Sequence, residues 1–313
     1  MSEDLPTVST HELAAHLDDP DHRVLDVRPI AAYNGWRLRD EPRGGHLPGV
    51  THVPLAWTEY MDWVEAVEEK GLQPEDPVTI YGYDREEAEA MAGRLERIGF
   101  SELSVYEEFL DEWAPDESRP LDRMKRYRQL VYPEWLRALL EMNRERGAEG
   151  RRPPEYENDR FVLCHAHFDN RADYEKGHIP GAVPLDTNAL ESPETWNRRS
   201  PAELRETLER LGIDHETTAI VYGRFSHPSY EQERPGASAG HLGAMRCAAI
   251  MLYAGVGDVR VLNGGIHSWE AAGYELTTEE TEPTPVEDFG AQIPGRPDLM
   301  IDLDEARGYL AAE

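Results

Sequence analysis

Any thiolate chemistry in this 313-residue chain must pass through Cys164 or Cys247, because it has no other cysteine. Cys247 follows Arg246 in "LGAMRCAAIMLYAGV", which reads as a helix after a long loop. Near the start of such a helix, the helix dipole and the guanidinium would both lower a thiol pKa, making Cys247 the candidate nucleophile. The opposing expectation is a core thiol, since Cys247, Ile250 and Met251 share one helical face by i, i+3, i+4 spacing. Cys164 opens "CHAH". On a strand, His165 and His167 share one face and Cys164 points the other way. Two imidazoles leave a zinc site one or two ligands short, so no metal is expected there and both histidines are assigned supporting roles. The stretch "GRFSHPSYEQERPGASAGHLGAMRC" offers Gly223, Arg224, His227, His241 and Arg246, and its backbone amides and guanidiniums suit a bound oxyanion. Against this stands the ordinary fate of arginine in an acidic chain, which is solvation or a salt bridge.

These residues belong to the second of two similar stretches. "GHLPGV" at 45–50 returns as "GHIPGA" at 177–182. Each copy is preceded by a short apolar run (Val24–Val27, Phe161–Cys164) and a tyrosine (Tyr33, Tyr174), and each is followed by an apolar run ending in Pro-Leu. "DPVTIYGYD" then matches "TTAIVYGRF", a helical stretch follows in both, and each copy ends on a strand and a late tryptophan (Trp113, Trp269). The second copy is nine residues longer before its Tyr-Gly strand and fifteen longer after it. Insertions fall in loops, where function concentrates. Strands alternating with helices predict an α/β fold with a mainly parallel sheet in each copy, flanked by helices. Sites in such sheets lie at the carboxyl ends of the strands, here after Tyr81 and after Tyr222. The histidines His46 and His178 sit in tight Gly-His-x-Pro-Gly turns and are expected to be structural.

Composition bounds the rest. Acidic residues outnumber basic ones 62 to 32, a formal charge of −30, and only three of the basic residues are lysine. Such a field repels nucleic acid and anionic membranes and excludes both as partners; an acidic face for a basic protein partner remains open. A solvated surface adapted to high salt is the simpler reading. No apolar stretch nears the ~20 residues of a membrane span, and "MSEDLPTVSTHEL" lacks the features of a signal peptide. A cytoplasmic setting with free thiols is expected.

The combination "VLDVR…Y…GHLPGV", "Y…GHIPGAVPLDTN" and "VRVLNGGIHSWEAAGY" resembles the rhodanese (thiosulfate sulfurtransferase) family. The phrase "ESPETWNRRSPAEL" and the final "LMIDLDEARGYLAAE" are similar to bacterial three-domain members. The resemblance implies a degenerate first domain over 1–120, a linker and helix over 121–157, a second domain over 158–280, and a linker with a third-domain stub over 281–313. It implies sulfur transfer from thiosulfate or a persulfide to a thiol acceptor, without a cofactor, through a loop cysteine placed directly after the Tyr strand. This chain has Gly82 and Gly223 at those two positions, so weak or absent activity is expected. The alternative is a non-catalytic module that binds an anion or a partner. Asp84, Glu86 and Glu87 further oppose an anion in the first loop.

Overall fold

A computed structural model describes residues 5–39, 41–59, 62–144, 152–224 and 239–311. The chain divides into two units, Met1–Tyr127 and Arg128–Glu313.

The first unit runs α1 (Thr10–Asp18), β1 (Arg23–Asp26), α2 (Ile30–Asn34), β2 (Thr51–His52), α3 (Trp63–Glu69), β3 (Val78–Tyr81), α4 (Arg85–Arg97) and β4 (Leu103–Tyr106). Its four strands are all parallel, in the order β2-β1-β3-β4. A parallel sheet covered on both faces needs apolar residues at consecutive positions, and "VTIY" of β3 is buried throughout. The period of two divides such runs between two cores. Leu25, Ile80 and Val105 pack with Ala88, Met91 and Leu95 of α4. Val24, Tyr81 and Tyr106 pack with Leu13 of α1, Phe109 and Trp113 on the other face.

The second unit runs β5 (Leu130–Val131), α5 (Pro133–Arg144), β6 (Phe161–His167), α6 (Ala172–Glu175), β7 (Val183–Asp186), α7 (Pro201–Leu211), β8 (Thr218–Gly223), α8 (Ala239–Ala254), β9 (Asp258–Leu262), α9 (Gly265–Ala271) and α10 (Leu303–Ala311). Its five strands are again all parallel, in the order β5-β9-β8-β6-β7. The α/β expectation with two sheets therefore holds. The segment read as a linker and helix over 121–157 supplies this unit with its edge strand β5 and, on α5, with Trp135, whose indole N–H donates to the Pro154 carbonyl at 2.7 Å. The proline- and acid-rich stretch after 281 also packs here, burying Phe289 and Ile293 in the core that holds Cys164 and Cys247. Arg198 pairs with Asp302 at 3.3 Å and with Glu305 at 3.1 Å at the start of α10.

The repeated hexapeptide makes the same joint in both units. Gly49 and Gly181 have φ of +71° and +83°, a left-handed backbone that side chains disfavour. His46 stacks on Tyr33 at 3.6 Å with Nδ1 2.7 Å from the Tyr33 carbonyl. His178 stacks on Tyr174 at 3.7 Å with Nδ1 2.9 Å from the Tyr174 carbonyl. The tyrosine of each Tyr-Gly strand then receives a turn amide: Leu47 N–H reaches the Tyr81 hydroxyl at 3.3 Å, and Ile179 N–H reaches the Tyr222 hydroxyl at 2.9 Å.

Candidate functional site

The carboxyl ends of the central strands carry different chemistry in the two units. In the first, Asp26 and Arg28 form a fully buried ion pair, with Arg28 Nη2 2.7 Å from Asp26 Oδ2. Tyr81 donates to the same carboxylate at 2.6 Å, Glu41 approaches Arg28 at 3.5 Å, and the guanidinium lies 4.0 Å from the Phe109 ring centre. The carboxylates keep Arg28 charged against the cost of its burial. Glu41 also accepts from the Tyr83 hydroxyl at 2.5 Å. Nothing in the sequence marks Glu41 among so many acids, and only the fold shows that it completes this cluster.

The first loop is filled from within. Tyr83 N–H, the amide after Gly82, donates to Glu87 Oε2 at 2.8 Å, and Arg39 holds the other oxygen at 2.8 Å. A Cβ on Gly82 would lie 2.9 Å from both Cβ and Oε2 of Glu87. Asp84 is occupied as the N-cap of α4, accepting from Glu87 N–H at 2.9 Å.

The second unit replaces the ion pair by imidazoles. His165 stands beside Tyr222 in the β6–β8 register and is fully buried, yet neither ring nitrogen has a hydrogen-bond partner. Burial, reinforced by the charge of Arg224, pushes its pKa down to about 3, so the ring is neutral. His167 shares its face, next to Asp186 of β7, and burial lowers its pKa as well. Cys164 faces the opposite side, in the core, where burial lifts its thiol to about 12.

The structure places the remaining candidates as follows. Gly223 ends β8, fully enclosed, with Ala166 as its ladder partner. Arg224 follows it and donates to the Gly177 carbonyl at 3.1 Å, while its Nε is sealed off without a partner. His241 is buried on α8, facing Gly265. Arg246 is held by Glu191, Nε to Oε2 at 2.7 Å, and lies 5.1 Å from the Trp196 ring centre. That contact ties the 191–198 hairpin to α8, and no oxyanion is needed to account for the side chain. Cys247 departs from the nucleophile expectation and sits where the core expectation put it. Helix α8 begins at Ala239, not near Leu242, so Cys247 is in mid-helix, beyond the reach of its dipole. It is 0 % exposed, and burial lifts its thiol well above the usual range. His227 lies outside the described residues. Among the described residues, no group of three or more His, Cys, Asp or Glu is placed to hold a metal, and no helix is long and apolar enough to cross a membrane.

The family model for the rhodanese-like domain matches residues 9–116 and 133–272, the stretches that hold the two parallel sheets and the two Gly-His-x-Pro-Gly joints. This chain belongs to the rhodanese family. It carries two rhodanese-like domains in tandem and is a relative of the sulfurtransferases. Thiosulfate sulfurtransferase YnjE of Escherichia coli is 34% identical over 300 residues, covering 94% of this chain and 62% of that protein. The putative thiosulfate sulfurtransferase SseB of Mycobacterium tuberculosis is 30% identical over 121 residues, 37% of this chain and 38% of SseB. A crystal structure of the anaerobic ergothioneine biosynthesis enzyme of Chlorobium limicola, with its natural substrate trimethyl histidine, superposes with a TM-score of 0.91 at 45% identity, covering 99% of this chain and 71% of that one. A structure of EanB with a cysteine persulfide in a tetrahedral intermediate state with ergothioneine gives 0.90 at 46%, covering 98% and 71%. The chain thus spans less than two thirds of the length of its E. coli relative.

Proposed function

We propose that these two rhodanese domains are the non-catalytic part of a sulfurtransferase whose sulfur is carried by a thiol other than Cys164 or Cys247, and whose acceptor is a small imidazole compound of the trimethyl histidine kind. The observation that carries the first half is the state of the two thiols: both are 0 % exposed, and the positions that open the family's loops are Gly82 and Gly223. A persulfide forms on an accessible thiolate, and burial disfavours that state at both cysteines. The acceptor class rests on the 45% identity to the ergothioneine enzyme over 99% of this chain. A second reading has a specific observation of its own. The sealed Nε of Arg224 at the second loop favours non-covalent binding of a small sulfur anion such as thiosulfate.

Mass spectrometry after polysulfide or thiosulfate treatment should find no added sulfur on either cysteine, and conversion of thiosulfate and cyanide to sulfite and thiocyanate should stay at background in the wild type and in Cys247→Ser. One sulfur on Cys247, with turnover lost in Cys247→Ser, would make the chain an enzyme with a relocated nucleophile. The acceptor is tested by fusing the chain to the part of EanB outside the matched region. The fusion should convert trimethyl histidine to ergothioneine with polysulfide. A fusion that forms thiocyanate but no ergothioneine would move the acceptor away from imidazoles. Calorimetric titration with thiosulfate, repeated on Arg224→Ala, decides the second reading: saturable binding lost in the variant supports it, and absent binding removes it.

A further inference from the structure

Along the outer edge of the second sheet, a groove of about 610 Å³ runs from His167 and Asp186 at the ends of β6 and β7 to Arg210 of α7 and the 280–283 segment. Pro184, Leu185 and Leu211 contribute apolar surface to its lining. His167 lines it and is only 5 % exposed, with a sealed Nδ1 that has no hydrogen-bond partner. A ring nitrogen buried without a partner has lost its water and gained nothing in return, so this groove-lining imidazole has hydrogen bonding still to gain from an occupant.

We propose that this groove binds a small organic cation bearing N–H donors, an amine or a guanidinium compound, with His167 and Asp186 side by side as its acceptors. The β6–β7 ladder sets those two residues opposite each other, so both side chains leave the same face of the sheet. Asp186 uses Oδ1 to receive Asn188 N–H at 3.0 Å and Asp169 N–H at 3.4 Å, and Oδ2 remains for a ligand. The wall is acidic: Asp169, Asp186, Glu280 and Glu282 face two guanidiniums. One of those, Arg171, is already bound to Glu280 and Glu175. An anion would therefore find Arg210 against the surplus carboxylates, while the neutral imidazole accepts an N–H and adds no positive charge. The first domain cannot form this site. At the position of His167 it has Arg28, fully buried and spent on Asp26.

The inference does not depend on the sulfur-transfer reading, and its test involves no sulfur chemistry. Agmatine, which carries a guanidinium and an amine, is titrated calorimetrically into the whole chain, with sodium thiosulfate and sodium sulfate as competitors. We expect saturable binding that thiosulfate and sulfate do not displace, and that weakens at least tenfold in Asp186→Asn, which keeps the Oδ1 cap. His167→Leu should weaken it likewise. Since His167→Leu could disturb the fold, the imidazole proton resonances of His167 are also followed in the wild type and should shift in step with the heats. Absence of saturable heat, an unmoved His167 signal at saturation, equal binding by folded Asp186→Asn, or displacement by sulfate would each overturn the proposal.

Discussion

At the scale of single residues, the second domain carries two imidazoles where the first has the Asp26–Arg28 pair, and His165 has a measurable consequence. Its folded pKa of about 3 lies below the ordinary histidine value of 6.5, so the unfolded chain binds a proton that the folded chain refuses. Stability attributable to this group is complete above pH 6.5 and is lost as pH falls toward 3. Urea unfolding of the wild type should therefore lose on the order of 2–3 kcal/mol more than His165→Phe between pH 7 and pH 4. Equal acid sensitivity in the two proteins would show that His165 is solvated. The sequence shows that two histidines stand where the first copy has Asp26 and Arg28, and the strand period put them on one face. It could not show that both nitrogens of His165 are unpartnered, because that depends on the packing of Tyr174, Tyr222 and Arg224 around the ring.

At the scale of elements, a single tyrosine hydroxyl in each domain accepts an amide of the hexapeptide joint. Tyr222→Phe leaves the Ile179 amide buried without an acceptor and should cost about 1–2 kcal/mol. Tyr81→Phe removes the acceptor of Leu47 N–H and also a charge-assisted bond to Asp26, and should cost about 1–2 kcal/mol more than Tyr222→Phe. Denaturant melts of the two variants compare them directly, and a reversed order would refute the assignment. The start of α8 was misplaced for an identifiable reason. Gly240 and Gly243 argue for loop, yet a Cβ on Gly243 would meet Thr187 Cγ2 at 2.8 Å, so that glycine serves close packing inside a helix. The segment after 281 misled for a similar reason. Prolines and acids dominate its composition and conceal Phe289, a core residue. Phe289→Ala should cost about 3–5 kcal/mol, the range for emptying a buried aromatic site, and a loss under 1 kcal/mol would return the segment to linker status.

For the whole molecule, the formal charge of −30 acts on every element at once. Most of the ion pairs lie at the surface, where each contributes little, while unpaired carboxylates repel one another at low ionic strength. The melting temperature should rise clearly between about 0.1 M and 1 M salt as the screening length shortens to a few ångströms. A flat or falling curve would show that the acidic surface carries no net strain. The fold class, the tandem repeat and the glycines after both Tyr strands were legible in the sequence, because each is written in local patterns that recur. The Asp26–Arg28–Glu41 cluster and the His167 groove were not, because each joins residues from separate loops or strands that only the folded chain brings together.

The Glu87 carboxylate in the first loop also bears on how the gene can change. A lone Gly82→Cys sets the new side chain against Glu87 and should lower stability by about 1–3 kcal/mol. A lone loss of Glu87 frees the Tyr83 amide but supplies no sulfur nucleophile. Neither change alone gives an open loop with a thiol in it, so a sulfur nucleophile at this loop lies at least two substitutions away. The double variant Gly82→Cys with Glu87→Gly, which removes both the Cβ and the carboxylate that the new side chain would meet, should regain part of the stability that Gly82→Cys forfeits, which thermal melts of the two proteins can read.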